Sequence, residues 1–102
     1  DKARRAILES GGLGFKVSDD EILAAQKRLS ASTGIFAEPA AAAAYAGFLQ
    51  AADKKLFNSN DKVVILITGS GLKDTASAQK LLDVVKPVKA NLTDIEAFLK
   101  GK

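Results

Sequence analysis

The sequence contains no cysteine, no histidine, no methionine and no tryptophan. Without cysteine, the chain has no disulfides, no thiolate metal site and no cysteine nucleophile. Without histidine, it lacks the commonest general base and the commonest metal ligand, so we expect no metal site and no Ser–His pair. Aromatic residues make up only 6% of the chain, and the net charge is +3. Nucleic-acid binding usually requires a basic surface with interleaved aromatic residues, so it is not expected here.

Long hydrophobic runs are also missing. No apolar run reaches the roughly 18 residues that a transmembrane helix needs, and no apolar stretch of signal-peptide length follows the basic residues at the start of the sequence. The sequence therefore predicts a cytoplasmic protein without a membrane partner. With 102 residues, of which 47% are hydrophobic and 26% are charged, the chain is long enough for one globular domain. We expect residues 1–102 to form a single α/β unit.

A first helix is predicted from its two ends. Ser18 and Glu21 have the spacing of a capping box, in which the serine accepts from a backbone amide and the glutamate reaches back to the serine N–H. Gly34 is expected to end the helix, because glycine readily adopts the left-handed conformation that closes helices. The helix should cover about residues 19–32. Its inward face consists of Ile22, Ala25 and Leu29.

A second, alanine-rich helix is predicted to follow. Pro39 fits its first turn, where proline costs no hydrogen bond, and alanine is the strongest helix former. The helix is expected to run to about Leu56. One side of it has almost no side-chain volume, which favours close packing against a sheet. This side consists of Ala40, Ala43, Ala44 and Gly47.

The most hydrophobic segment is VVILI at residues 63–67, which is β-branched and apolar on both faces. This pattern is typical of a central strand in a parallel sheet that is covered by helices. Shorter extended segments are expected at residues 15–17, 35–37 and 88–91. The chain is therefore predicted to have a helix-rich α/β fold with few strands, and to be part of a larger parallel-sheet unit.

Two more helices are predicted in the last third of the chain. Asp74 or Thr75 is expected to cap the first of them, over about residues 76–85. Thr93 and Glu96 have the spacing of a second capping box, which would begin the other helix. The inward-facing residues are expected to be Leu81, Leu82 and Val85 in the first, and Ile95, Phe98 and Leu99 in the second.

The loop TGSG at residues 68–71 directly follows the predicted strand. In open α/β sheets, ligands bind at the carboxyl ends of the strands. A glycine-containing loop that leads into a helix can hold a phosphate or another anion. A tight turn between a strand and a helix also requires glycine, and these four residues alone favour such a turn.

Three stretches of the sequence resemble the C-terminal segment of the threonine synthase family. They are SGG at residues 10–12, VSDDEILAAQKRLSASTGIFAEPAAAAAYAG at 17–47 and VVILITGSGLKD at 63–74, and TG-x-GLKD is the most specific part. These are pyridoxal-phosphate enzymes with the tryptophan-synthase-β-like fold. The resemblance implies that residues 1–102 are a C-terminal fragment of a larger parallel-sheet, three-layer αβα domain.

The resemblance also implies roles for individual residues. Thr68 would direct its hydroxyl to the pyridine nitrogen of pyridoxal phosphate, and a neutral hydroxyl there would leave the ring unprotonated. Gly69 would let the backbone pass close to the ring, and Glu38 would lie near the cofactor. The Schiff-base lysine of the family lies upstream of the matched stretches, so no catalytic residue is expected in residues 1–102.

The implied reaction is that of threonine synthase. O-Phosphohomoserine loses phosphate by γ-elimination, and water then adds at Cβ to give threonine. A homodimer is a possible assembly. Ser70 stands where the family often has histidine, and Ala41 where it often has serine, so contacts to the substrate would differ at these two positions.

Two alternatives remain open at this point. A fragment of a threonine dehydratase or of another β-eliminating relative would share much of the pattern, although GLKD after TGSG favours threonine synthase. A stand-alone, non-catalytic interaction domain would account for the missing lysine. Individual residues also have simpler explanations. Glu38 stabilises a helix N-terminus electrostatically, Lys73 is a surface charge, and Asp74 caps a helix.

Overall fold

The computed structural model describes residues 1–80, 82 and 87–101. Within these residues the chain is rich in helix and contains no strand. A 3-10 turn, Gly71–Lys73, precedes the fourth helix. The α-helices of the described residues are α1 (Lys2–Glu9), α2 (Asp19–Thr33), α3 (Pro39–Asp53), α4 (Thr75–Gln79) and α5 (Leu92–Lys100). No helix in this part of the chain is long and apolar enough to cross a membrane.

Helix α2 begins and ends as predicted. The Ser18 hydroxyl accepts a hydrogen bond from the Glu21 N–H at 3.3 Å, and the Glu21 carboxylate accepts from the Ser18 N–H at 2.7 Å, so the capping box is complete. At the other end, Gly34 has a φ of 75° and donates its N–H to the Ser30 carbonyl at 2.9 Å. A residue with a Cβ would be strained in this left-handed conformation, which explains the glycine.

The capping box makes the stability of α2 depend on pH. The pKa of Glu21 is lowered, first by the Ser18 N–H and then by the side chains of Gln50 and Ser18. A carboxyl with a lowered pKa contributes stability that is present above its unfolded pKa, near 4.5, and is lost as the pH falls through its folded pKa. Glu21→Gln removes this titration.

We therefore expect the thermal unfolding midpoint to fall less, between about pH 7 and about pH 3, in Glu21→Gln than in the wild type. The measurement is the midpoint of both proteins at both pH values. Glutamine can still reach the N–H of residue 18, so the two should differ little at neutral pH. Equal acid-induced decreases would show that the Glu21 carboxylate does not stabilise the folded state in this way.

Helix α3 starts at Pro39, as predicted, but ends at Asp53, three residues before the predicted end. Lys55 has a φ of 55°, and its N–H donates to the Ala52 carbonyl at 2.9 Å. The Leu56 N–H donates to the Ala51 carbonyl at 3.1 Å. These two bonds and the left-handed residue form a Schellman motif. Because lysine takes the position usually held by glycine, the sequence carried no signal for this end.

The core lies where α2 and α3 pack against each other. Ile22, Tyr45 and Ile67 pack around a cluster formed by Leu29, Ala37, Ala41 and Ala42. The predicted small-residue side of α3 is not the buried one, since Ala40 and Ala44 are exposed. Ala43, Ala44 and Gly47 instead line an open apolar groove of about 480 Å³, together with residues 63–66. The alanines of α3 that are buried are Ala41, Ala42, Ala46 and Ala51.

Residues 63–67, which were predicted to form a buried central strand, do not form a strand within the described residues. The side chains of Val64 and Leu66 are 83% and 73% exposed, whereas Ile65 and Ile67 are half-buried. A strand requires neighbouring strands that pair with its N–H and carbonyl groups. The described residues supply none beside this segment. The expected extended segments at 15–17 and 88–91 do not form strands either.

The C-terminal third agrees with the predictions in part. Asp74 caps α4, and its carboxylate accepts from the Ser77 N–H at 3.1 Å. Leu82, which was predicted to face inward, is 62% exposed. The predicted residues Leu81 and Val85 lie outside the described residues. The cap of α5 is Asn91, whose side chain accepts from the Asp94 N–H at 2.9 Å.

The predicted box of Thr93 and Glu96 at the start of α5 is therefore wrong. Asn91 and Asp94 have the same spacing two residues earlier, and asparagine is a strong N-cap. Helix α1 was not predicted. Its signals were Asp1 at the N-cap position and Arg5 with Glu9 one turn apart, which form an exposed ion pair at 3.2 Å.

Candidate functional site

The loop after residues 63–67 pairs with the segment before α3. Ala37 and Ser70 form an isolated antiparallel bridge. The Glu38 N–H donates to the Gly69 carbonyl at 3.0 Å, and the Gly71 N–H donates to the Phe36 carbonyl at 2.9 Å. Two segments that are distant in the sequence thus meet. Glu38 and Gly69, which were selected separately as site residues, are direct neighbours, and Thr68 is next in the chain.

Both glycines of the loop lie close to a side chain of the opposite segment. A Cβ on Gly69 would lie 2.9 Å from Cγ of Glu38 and closer still to its carboxyl group. A Cβ on Gly71 would lie 2.6 Å from ring atoms of Phe36. Neither glycine has a positive φ. The two glycines are therefore explained by the approach of residues 36–38, and their backbone conformation alone would allow a side chain.

The loop amides are already used within the protein. The Gly71 N–H binds the Phe36 carbonyl, and the Leu72 N–H binds the Ser70 hydroxyl at 3.3 Å. The Lys73 and Asp74 N–H groups bind the carbonyls of Ser70 and Gly71 at 3.2 and 3.1 Å. An anion-binding loop needs free amides that converge on the ligand. Four consecutive amides are occupied here, which argues against a phosphate site formed by this turn.

Ser70 and Asp74 have structural roles in this turn. The Ser70 hydroxyl begins the 3-10 turn through Leu72. The Asp74 carboxylate accepts from both the hydroxyl of Ser77, at 2.7 Å, and its N–H. These bonds, led by the one from the hydroxyl, lower the pKa of Asp74. The helix-capping explanation of Asp74 is thus confirmed, and Lys73 is exposed, as expected for a surface charge.

The side chains of Thr68 and Glu38 have polar groups without a partner among the described residues. Thr68 is exposed and follows Ile67, which is packed on the core. Within the described residues, its hydroxyl makes no hydrogen bond. Glu38 is half-buried with its carboxyl group beside Gly69, and this carboxyl likewise has no hydrogen-bond or ion-pair partner in the described part of the chain. The site therefore has the neutral hydroxyl of Thr68 on its surface and the carboxylate of Glu38 beside Gly69.

Sequence reasoning missed Gln26. This side chain is 1% exposed, and its Nε2 donates to the Ala37 carbonyl at 2.6 Å. Its position in α2 could have indicated its burial, since Ala25 and Leu29 flank it on the inward face. A long polar residue within an apolar face normally has a hydrogen-bonding reason to be there.

Comparison with known proteins identifies relatives over nearly the whole chain. The model of the family described as "Pyridoxal-phosphate dependent enzyme" matches residues 1–69. The chain is 46% identical over 102 residues to a protein of a Synechocystis species named "Threonine synthase", which covers 99% of this chain and 26% of that protein.

Two further relatives carry the same name. The one from Methanosarcina acetivorans is 41% identical over 101 residues, which is 99% of this chain and 25% of that protein. The one from Halalkalibacterium halodurans is 40% identical over 97 residues, which is 95% of this chain and 27% of that protein. The chain thus spans about a quarter of the length of the curated relatives it matches.

Proposed function

This chain belongs to the family of pyridoxal-phosphate-dependent enzymes, and we propose that it forms the C-terminal part of a threonine synthase. The intact enzyme would convert O-phosphohomoserine and water to threonine and phosphate. The observation that carries the proposal is the match to relatives named "Threonine synthase" over 95–99% of the chain, including the loop that contains Thr68. We also propose that the intact enzyme is located in the cytoplasm and that it can assemble as a homodimer.

The proposal also includes the fold of the intact enzyme. We expect residues 63–67 to become a strand of a parallel, three-layer αβα sheet of the tryptophan-synthase-β-like type. The alternating exposure of this segment supports the expectation, because Ile65 and Ile67 face the helices while Val64 and Leu66 lack a covering layer. Parallel strands are normally covered on both faces. The remainder of the enzyme would provide the neighbouring strands and the second layer of helices.

Thr68 has the chemistry that the cofactor ring requires. A pyridine nitrogen is a hydrogen-bond acceptor, and the exposed Thr68 hydroxyl is a donor without a partner in the described residues. When bound, pyridoxal phosphate acts as an electron sink for the reacting carbons. The hydroxyl would orient the ring through its nitrogen. Because the hydroxyl is neutral, it would not favour protonation of that nitrogen as a carboxylate would.

Glu38 and Gly69 would help to position Thr68 for this hydrogen bond. The backbone pairing of Glu38 with Gly69 fixes the start of the loop, and the missing Cβ of Gly69 leaves room for the Glu38 carboxyl group. The direction of the preceding residue, Thr68, depends on this pairing. The phosphate of the cofactor would be held by residues outside this chain, since four amides of the turn are already bound within the protein.

The proposed activity is tested on the intact enzyme with O-phosphohomoserine. We expect threonine and phosphate to appear in equal amounts, and no product when the cofactor is removed. Homoserine, which lacks the phosphate leaving group, serves as the control substrate and should give no threonine. Formation of 2-oxobutanoate from threonine, without threonine formation from O-phosphohomoserine, would favour the threonine dehydratase alternative and overturn the proposal.

We expect the 102-residue chain alone to form no specific covalent bond with pyridoxal phosphate. Every lysine in the described residues is exposed, so none has the buried surroundings that would make it react selectively. The measurement is borohydride reduction in the presence of the cofactor, followed by mass spectrometry of peptides. Scattered, partial labelling is the expected result. Stoichiometric labelling of one lysine would place the covalent site inside this chain.

A further inference from the structure

Gln26 links α2 to the pairing of the two site segments. Among the described residues, Gln26 has the largest fully buried side chain, and it is the only polar residue that is buried. Its amide Nε2 donates to the carbonyl of Ala37, eleven residues away in the sequence, at 2.6 Å. Ala37 is itself fully buried and forms the bridge with Ser70.

The bridge explains why this carbonyl needs a partner. In the pairing of Ala37 with Ser70, the bonds to the loop are made by the residues on either side of Ala37, namely Phe36 and Glu38. In an antiparallel pair of this type, the N–H and carbonyl of the central residue point to the opposite edge. Gln26 is located at that edge, and its amide binds where a neighbouring strand would otherwise pair.

The amide oxygen of Gln26 indicates why a glutamine occupies this position. Its Oε1 is buried and has no hydrogen-bond partner among the described residues. A buried polar atom without a partner is unfavourable, so packing alone would be served better by an apolar side chain of similar shape. The glutamine is explained by the donor that it supplies to Ala37.

We infer that Gln26 is a positioning residue, which holds Ala37 so that Glu38 and the loop that carries Thr68 keep their relative places. This inference rests on the proposed function of Thr68. Gln26 lies in the core, whereas Thr68 is exposed at the surface. Gln26 would therefore act on the reaction only through the backbone of residues 36–38 and 69–71.

The first variant is Gln26→Met in the intact enzyme, which preserves length and helix propensity but removes the donor. We expect kcat for threonine formation to fall about ten- to a hundredfold, because small displacements of positioning groups are costly in rate. KM for O-phosphohomoserine should change less than kcat. Amide hydrogen exchange in peptides covering residues 36–38 and 69–71 should become faster.

The second variant, Gln26→Glu, should restore the hydrogen bond only in its protonated form. Burial raises the pKa of such a carboxyl group. A protonated carboxyl donates to the Ala37 carbonyl, whereas the ionised form has no proton to donate. The kcat of Gln26→Glu should therefore decrease as the pH rises through this pKa, and the wild type should not show this limb. A role limited to filling space would produce no such pH profile.

The matched control is Ala25→Gly, which weakens α2 at the adjacent buried position without removing the donor. It should lower the thermal midpoint and leave kcat unchanged. The inference is overturned if Gln26→Met leaves kcat and exchange unchanged, or if Ala25→Gly lowers kcat as much. If the wild-type enzyme forms no threonine, the proposed function fails, and the exchange measurement alone decides whether Gln26 positions the bridge.

Discussion

Thr68→Asp in the intact enzyme should slow threonine formation by roughly tenfold or more. An aspartate at this position would bring a negative charge to the pyridine nitrogen and raise the pKa of that nitrogen. A shift of one unit changes the ratio of protonated to unprotonated ring about tenfold. The ring would then be a stronger electron sink. After the loss of phosphate, the rate of water addition relative to the rates of side reactions would therefore decrease. Side products such as 2-oxobutanoate should increase.

Two controls separate charge from shape at this position. Thr68→Ser keeps the hydroxyl and should remain largely active, whereas Thr68→Val keeps the shape and loses the donor. Cofactor affinity should fall less than activity in Thr68→Asp, because residues outside this chain would hold the phosphate. The measurements are steady-state threonine formation and the visible spectrum during turnover. If Thr68→Asp equalled the wild type in both, Thr68 would not face the ring nitrogen.

Gly71→Ala should produce the largest loss of stability among the substitutions considered. The new methyl group would lie 2.6 Å from ring atoms of Phe36, a contact too short to persist, so the half-buried ring or the backbone at residue 71 would have to shift. Overpacking of this kind typically costs about 1–3 kcal/mol. The free energy of unfolding, measured by chemical denaturation, should fall by that amount. The pairing of the Gly71 N–H with the Phe36 carbonyl should weaken as well.

Gly14→Ala is the matched control for this overpacking. A Cβ on Gly14 would meet no atom within 4 Å, so its effect should be small. Phe36→Leu in the background of Gly71→Ala removes the ring and should restore part of the lost stability. If Gly71→Ala were as stable as the wild type, the close approach of Phe36 to Gly71 would not occur in solution.

Local signals predicted the parts of the fold that depend on neighbours in the sequence. The capping box of Ser18 and Glu21, the left-handed Gly34 and the first-turn Pro39 are each determined by residues within one helical turn. The end of α3 was missed because Lys55 adopts the left-handed conformation that glycine normally marks. At α5, two candidate caps were present in the sequence, and the earlier one, Asn91, is used.

The predicted strand is absent from the described residues for a non-local reason. Residues 63–67 have the composition of a buried strand, but pairing needs other strands, and the described residues supply none alongside. The same composition leaves Val64 and Leu66 exposed in this chain. The hydrophobic pattern thus indicates that a segment is suited to be a buried strand. Whether the strand forms depends on the presence of other strands and of a layer that covers it.

The sequence suggested individual candidate site residues, but it did not predict which of them contact each other. The resemblance identified Glu38 and Gly69 as separate residues, and the structure brings them together through the bridge of Ala37 with Ser70. Gln26 has no motif that could identify it. Its contact with Ala37 is visible only once α2 and the segment before α3 are placed side by side.

The most direct measurement of the central proposal is the ¹⁵N NMR shift of the pyridine nitrogen in the intact enzyme, loaded with labelled pyridoxal phosphate. In the wild type, the shift should be that of an unprotonated nitrogen that accepts a hydrogen bond, and in Thr68→Asp it should move towards the protonated value. A protonated nitrogen in the wild type, or identical shifts in the two proteins, would contradict the placement of Thr68 at the ring nitrogen.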